Sequence, residues 1–184
     1  MYLLTLLGAG PAARIPAVLA VTLALCWKLR LNFALGAVVG LLHDVLITLG
    51  LLSVMGKEID LNIVAAVLTL IGYSLNDTII IYDRIRENLR SESQESEANG
   101  HKLRPLADII DTSLNQTLGR TIMTSLTTLV AVLSLFILGG GAIHDFALTM
   151  LIGVVVGTFS SIFVSSPVLL ALGSTEQYAG RVQI

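Results

Sequence analysis

Charge is scarce in this chain. Only 13% of its 184 residues are Asp, Glu, Lys or Arg, about half the share of a typical soluble domain, which excludes an ordinary water-soluble fold. Cysteine is nearly absent. Cys26 stands alone, so no internal disulfide forms, and no spacing of Cys and His suits a metal. No glycine-rich loop is present to cradle a phosphate, so no nucleotide should bind; nucleic acid is not expected as a partner. The opening Met1-Tyr2-Leu3-Leu4 lacks the charged stretch of a secretory signal. There is no convincing internal repeat.

What is abundant is apolar sequence, 54% of the chain. Four runs reach the roughly 20 residues that cross about 30 Å of hydrocarbon: about 33–55, 61–82, 117–138 and about 146–170. A fifth span is expected at about 11–29, although Pro11, Arg14 and Pro16 interrupt its upstream side. The fold class is therefore all-α, a polytopic bundle of about five transmembrane helices. The connections Gly56–Asp60 and Gly139–Asp145 are short, which makes their flanking helices antiparallel neighbours. Asp145 is expected to cap the start of the last helix.

One connection, 83–116, is long and polar. Its centre, Ser91–Gly100, has no apolar residue except Ala98 and is expected to be a flexible linker. Leu103, Leu106, Ile109, Ile110 and Leu114 then recur at helical spacing and predict an amphipathic helix on the membrane surface. Lys28, Arg30, Arg84, Arg86, Arg90, Lys102, Arg104 and Arg181 fall on one side of the membrane, against Arg14 and Lys57 on the other. The positive-inside rule places the long loop and the C-terminus in the cytoplasm.

Polar residues inside the spans are the functional candidates. Thr69, Tyr73, Asn76 and Asp77 follow i, i+4, i+7, i+8 and share one helix face. Gln116, Arg120, Thr124 and Thr127 form a second stripe on the next span. Asp77 and Arg120 lie at compatible depths and are the natural pair. An ionisable group in a spanning helix costs roughly 2.5–3.5 kcal/mol on insertion scales and is a functional candidate by default. Low dielectric favours a neutral acid and a nearby guanidinium favours its anion, so such a pair is suited to taking up and releasing a proton. The competing reading is a static ion pair that sets helix register. His43 and Asp44 sit mid-span and serve either as relay or as packing support. Gly72 would admit a neighbouring backbone, and Gly153, Gly157, Ser161 and Ser165 recur every four residues as a close-packing stripe.

Several stretches together resemble the SecF subunits of the bacterial Sec protein-export machinery, within the SecD/SecF family and the RND-like superfamily. They include Leu42-His43-Asp44-Val45-Leu46-Ile47-Thr48-Leu49-Gly50 and Gly72-Tyr73-Ser74-Leu75-Asn76-Asp77-Thr78-Ile79. The likeness continues through Tyr82-Asp83-Arg84-Ile85-Arg86-Glu87-Asn88-Leu89-Arg90 and Ser113-Leu114-Asn115-Gln116-Thr117-Leu118, and covers about 33–170. It implies a multi-pass protein of the bacterial cytoplasmic membrane. Such a subunit works with SecD beside the SecYEG channel and accessory Sec subunits. It uses the proton-motive force, with protons as coupling ion and no other cofactor, to promote export of preproteins. The family's intramembrane Asp falls on Asp77 and its partner Arg on Arg120. An initial span and an outer domain, usual in that family, are not found in this sequence, which is expected to be a fragment or part of a fused SecD–SecF.

Two other functions compete: a structural or assembly subunit without proton coupling, and an RND-like small-molecule exporter. Enzyme chemistry is the weakest reading. Asp44 and Asp77 resemble an intramembrane aspartyl pair only superficially, since no Gly-x-Gly-Asp accompanies them.

Overall fold

A computed structural model describes residues 31–100, 102–173 and 175. The span expected at about 11–29, together with Arg14, Cys26, Lys28, Arg30, His101 and Arg181, lies outside the described residues. Packing is described within the compact unit from Gly36 onward.

The described chain is helical. Helix α1 is Leu31–Val54, α2 is Leu61–Asn99, α3 is Leu106–Leu138 and α4 is Gly141–Ser160. A π-helical turn, Ser161–Ser165, leads into the short α5, Ser166–Ala171. Among the described residues, four helices are long and apolar enough to cross a membrane, α4 counting together with its continuation to Ala171.

Local chemistry explains the ends. Gly56 takes φ +69° after α1 and Gly100 takes φ +67° after α2, left-handed conformations that cost a residue with a Cβ. The Gly100 amide donates to the Ser96 carbonyl at 2.9 Å. Asp60 caps α2, its Oδ1 accepting from the Ile63 amide at 2.9 Å. That hydrogen bond holds the Asp60 carboxyl below its ordinary value. Asp145, expected as a cap, is instead inside α4, whose cap position is Gly140. Its side chain is engaged elsewhere: Oδ1 accepts from Lys57 Nζ at 2.6 Å and ties the α1–α2 turn to α4. Pro167 has no amide hydrogen and its ring crowds the preceding turn, which accounts for the widened turn just before it.

Near the end of the bundle marked by Lys57, Ala66 and Leu70 of α2 pack with Val132 of α3 and with Ala147, Met150 and Val154 of α4. Leu42, Leu46, Leu68, Ile122, Met123, Phe159 and Phe163 are exposed. Apolar side chains thus cover the outside, while Asp44, Thr48, Ser74, Asp77, Thr121, Ser125, Thr149, Ser160 and Ser165 are buried. This arrangement suits lipid, which solvates apolar surface but not polar groups. Helices in lipid are held by close packing rather than by exclusion from water. Accordingly, Gly153 faces the Leu70 side chain, Gly157 faces Asp44 and Ser74, and Gly40 faces Ser165 and Ser160.

The long connection differs from expectation. Helix α2 runs 39 residues, about 58 Å at 1.5 Å per residue, roughly twice the hydrocarbon thickness. Ser91–Asn99 is helix rather than flexible linker, and the amphipathic stretch from Leu106 continues unbroken into the next span. Together they form a helical hairpin beyond the spans. Its apolar seam contains Ile85 and Leu89 of α2, and Leu106, Ile109 and Ile110 of α3, all buried. Asn88 Nδ2 donates to Ser113 Oγ at 2.7 Å and to Gln116 Oε1 at 2.9 Å. Arg84 Nε reaches the same Gln116 oxygen at 2.6 Å. At the tip, Glu92 accepts from the Arg104 amide at 3.1 Å and from its Nε at 2.6 Å. Composition alone reads the linker as solvated; these long-range side-chain bonds order it.

Candidate functional site

Asp77 is 1% exposed. Neither carboxylate oxygen has a hydrogen-bond partner. Counting along the helices at 1.5 Å per residue, Asp77 lies about 24 Å from the start of α2 and Arg120 about 27 Å from the end of α3. These two helix ends adjoin the short turns at the Lys57 end of the bundle, so the two residues share a depth. The Asp77 carboxylate accepts no hydrogen bond from Arg120. Arg120 is itself exposed on this chain. The two groups therefore form no closed ion pair in this structure. A carboxyl so placed is chemically able to gain and lose a proton without breaking a hydrogen bond to the protein.

The remaining candidates separate. Tyr73 turns inward, its hydroxyl donating to Ser125 Oγ at 3.2 Å. Thr69 and Asn76 are exposed, and the Thr69 hydroxyl is occupied by the Ala65 carbonyl of its own helix at 2.8 Å. Thr124 likewise bonds back to the Arg120 carbonyl at 3.1 Å. Thr69 and Asn76 thus do not join the buried site in this chain, although they share the helix-wheel arc of Asp77. A wheel face spans about 100°, and the interior admits only part of it. Gly72 corrects an expectation as well: nothing lies within 4 Å of where its Cβ would stand. It faces away from α4, so no close packing occurs there within the chain. Gly153 and Gly157 of α4 and Ser161 of the π turn are buried.

Asp44 is fully buried in α1. Ser74 Oγ of α2 donates to its Oδ2, and His43 Nδ1 lies 3.2 Å from its Oδ1. Several further residues escaped the reading of the sequence: Ser74, Thr121, Ser125, Thr158 and Tyr82. Ser125 Oγ pairs with Thr158 Oγ1 at 2.7 Å, linking α3 to α4. Tyr82 donates to the Ser165 carbonyl in the π turn at 2.7 Å. A signal for part of this was present. Ser113, Thr117, Thr121 and Ser125 recur every four residues and all are buried. The charged Arg120 beside that stripe drew attention to the neighbouring face. Among the described residues, no cluster of His, Cys, Asp and Glu is fit to hold a metal ion.

Helices with apolar exteriors around isolated buried carboxylates define a class: polytopic α-helical membrane proteins with an ionisable interior. Residues 5–175 match the family described as protein export membrane protein SecD/SecF, C-terminal. The chain belongs to that family. It is 48% identical over 161 residues to the protein translocase subunit SecF of Desulfurispirillum indicum, covering 88% of this chain and 49% of that protein. To the SecF of Magnetococcus marinus it is 50% identical over 174 residues, covering 94% and 53%. A crystal structure of SecDF, a translocon-associated membrane protein from Thermus thermophilus, superposes with TM-score 0.71 at 39% identity, over 89% of this chain and 23% of that one. A second, of SecDF in a super-membrane-facing form, gives TM-score 0.70. The chain spans about half the length of the SecF relatives just named.

Proposed function

We propose that this chain is the proton-coupled membrane part of a Sec-export auxiliary subunit. Working with SecD beside SecYEG in the bacterial cytoplasmic membrane, it uses the proton-motive force to promote export of preproteins. The α2–α3 hairpin and the C-terminus face the cytoplasm, as the basic residues of the hairpin favour. Asp77 carries the proton and Arg120 is its counter-charge. The carrying observation is that Asp77 is sealed in the bundle with both oxygens unpartnered and is not bonded to Arg120. A buried ion pair held only for register would close that contact, since leaving it open forfeits the Coulombic gain that offsets desolvation. Each elementary charge moved across 100 mV supplies about 2.3 kcal/mol, enough to drive a helix rearrangement.

The test is Asp77→Asn. Export stimulation and proton uptake in vesicles should both be lost while the protein still inserts and assembles. Undiminished export in that variant would end the proton-carrier reading and leave the assembly-subunit reading standing. A charge swap between Asp77 and Arg120 distinguishes the two further, because a structural pair tolerates exchange and a proton carrier does not.

A further inference from the structure

We propose that Asp44, with His43 and Ser74, is a second proton-binding station that exchanges its proton with Asp77. This deepens the proton-carrier reading above and rests on it. Asp44 and Asp77 are the only carboxylates within span residues 33–55, 61–82, 117–138 and 146–170, and both are essentially inaccessible. Ser74 stands between them in the fold. Its hydroxyl bonds Asp44 Oδ2 across the α1–α2 contact, and it precedes Asp77 by three residues, one turn on the same helix.

Depth makes these groups a column. At 1.5 Å per residue, Thr48 is about 9 Å and Asp44 about 15 Å from the outer end of α1, whereas Ser74 is about 20 Å and Asp77 about 24 Å from the outer end of α2. Thr48 is fully buried, and its hydroxyl has no hydrogen-bond partner although Asp44 is one turn away. A buried hydroxyl without a partner is costly, and this one extends the column outward. Gly157 of α4 closes its side. His43 on its own helix lies 3.2 Å from the Asp44 carboxylate, and the charged or titratable side chains within the spans of α2 and α3 are Tyr73, Asp77, Tyr82 and Arg120. α4 carries His144 and Asp145 near its start, where Asp145 is held by Lys57, and residues 146–171 contain no ionisable side chain. His43 is partly exposed, its side chain 39% accessible, while its Nδ1 stays within hydrogen-bond distance of the buried carboxyl.

The transfer balances. Protonated Asp44 gives its proton to Ser74 Oγ while the original Ser74 O–H bond breaks and that proton passes to the Asp77 carboxylate, with a water completing the one-turn gap. The outcome is Asp44 anion and Asp77 acid, with Ser74 and the water unchanged.

The test uses the chain with its copurifying subunits in proteoliposomes, titrated with acid and followed by the infrared carboxyl bands. Asp44→Asn should remove one protonated-carboxyl band and shift the midpoint of the Asp77 band by about one pH unit, a tenfold change in proton affinity. Ser74→Ala should keep both bands and abolish that coupling. Both should lower proton flux about tenfold or more without changing the cooperativity of unfolding, which an acceptor of purely structural role would not do. Asp44→Glu should retain flux. If Asp44→Asn leaves the Asp77 midpoint and the flux unchanged, Asp44 is a static hydrogen-bond acceptor and the second station is refuted, while Asp77 keeps its role. If Asp77→Asn itself leaves flux intact, the underlying reading fails instead. Should Asp44→Asn not fold, His43→Gln and Ser74→Ala decide by the same readouts.

Discussion

Replacing Asp77 by Asn separates a proton carrier from a structural ion pair by its effect on stability, independently of any transport assay. The substitution is nearly isosteric; it removes the ability to ionise and puts an amide NH2 in place of one carboxyl oxygen. If Asp77 and Arg120 formed a buried pair, breaking it would strand the other charge and cost about 3–5 kcal/mol. In the structure neither Asp77 oxygen is bonded and Arg120 is exposed, so nothing is stranded. The expected change is then within about 1 kcal/mol, the scale of one ordinary hydrogen bond gained or lost. The two outcomes differ by at least about 2 kcal/mol, more than a tenfold difference in the folded-to-unfolded ratio. Reversible unfolding in mixed micelles, followed by circular dichroism and by trapping of the unfolded form, resolves this. A loss above about 3 kcal/mol would show that the carboxylate is a structural partner after all.

Four other outcomes are expected. Ser125→Ala should destabilise by about 1–3 kcal/mol in the same unfolding experiment, because it leaves the Tyr73 hydroxyl without its partner. Thr121→Val, which removes a buried hydroxyl that has no partner, should be neutral or stabilising. Gly153→Ala should cost about 1–3 kcal/mol, since its Cβ would press on the Leu70 side chain, whereas Gly72→Ala should gain about 0.5–1 kcal/mol from helix propensity alone. At the hairpin tip, burial on its own raises the Glu92 carboxyl, but the hydrogen bonds from Arg104 and its charge outweigh this and hold it below the ordinary 4.5. A lowered carboxyl contributes stability above its unfolded value and loses it as pH falls through the folded one. Amide exchange across residues 92–106 should therefore be pH-independent in linkage terms above about 4.5 and less protected below it. Glu92→Gln should remove that dependence.

Spans, short turns and their order were legible because crossing hydrocarbon demands length and apolarity, which are one-dimensional properties. The span expected at 61–82 starts at the same residue as α2, and that at 117–138 ends at the same residue as α3. The hairpin was not legible. Ser91–Gly100 reads as solvated polar sequence, and its order comes from Glu92 meeting Arg104 twelve residues on and Asn88 meeting Ser113. Composition carries no record of such meetings. The polar face of α2 was half legible: Tyr73 and Asp77 turn inward, Asn76 and Thr69 do not.

By itself, then, the sequence determined the four described spans, the family and the identity of the two intramembrane carboxylates. Tertiary structure decided which side of each helix is the inside. In water the apolar stripe would have marked it, but in lipid apolar residues cover the entire circumference and the stripe disappears. Only the close approach of α1, α2 and α4 around Gly157, Ser74 and Asp44 placed one acid against a bridging serine and left Asp77 sealed without a partner.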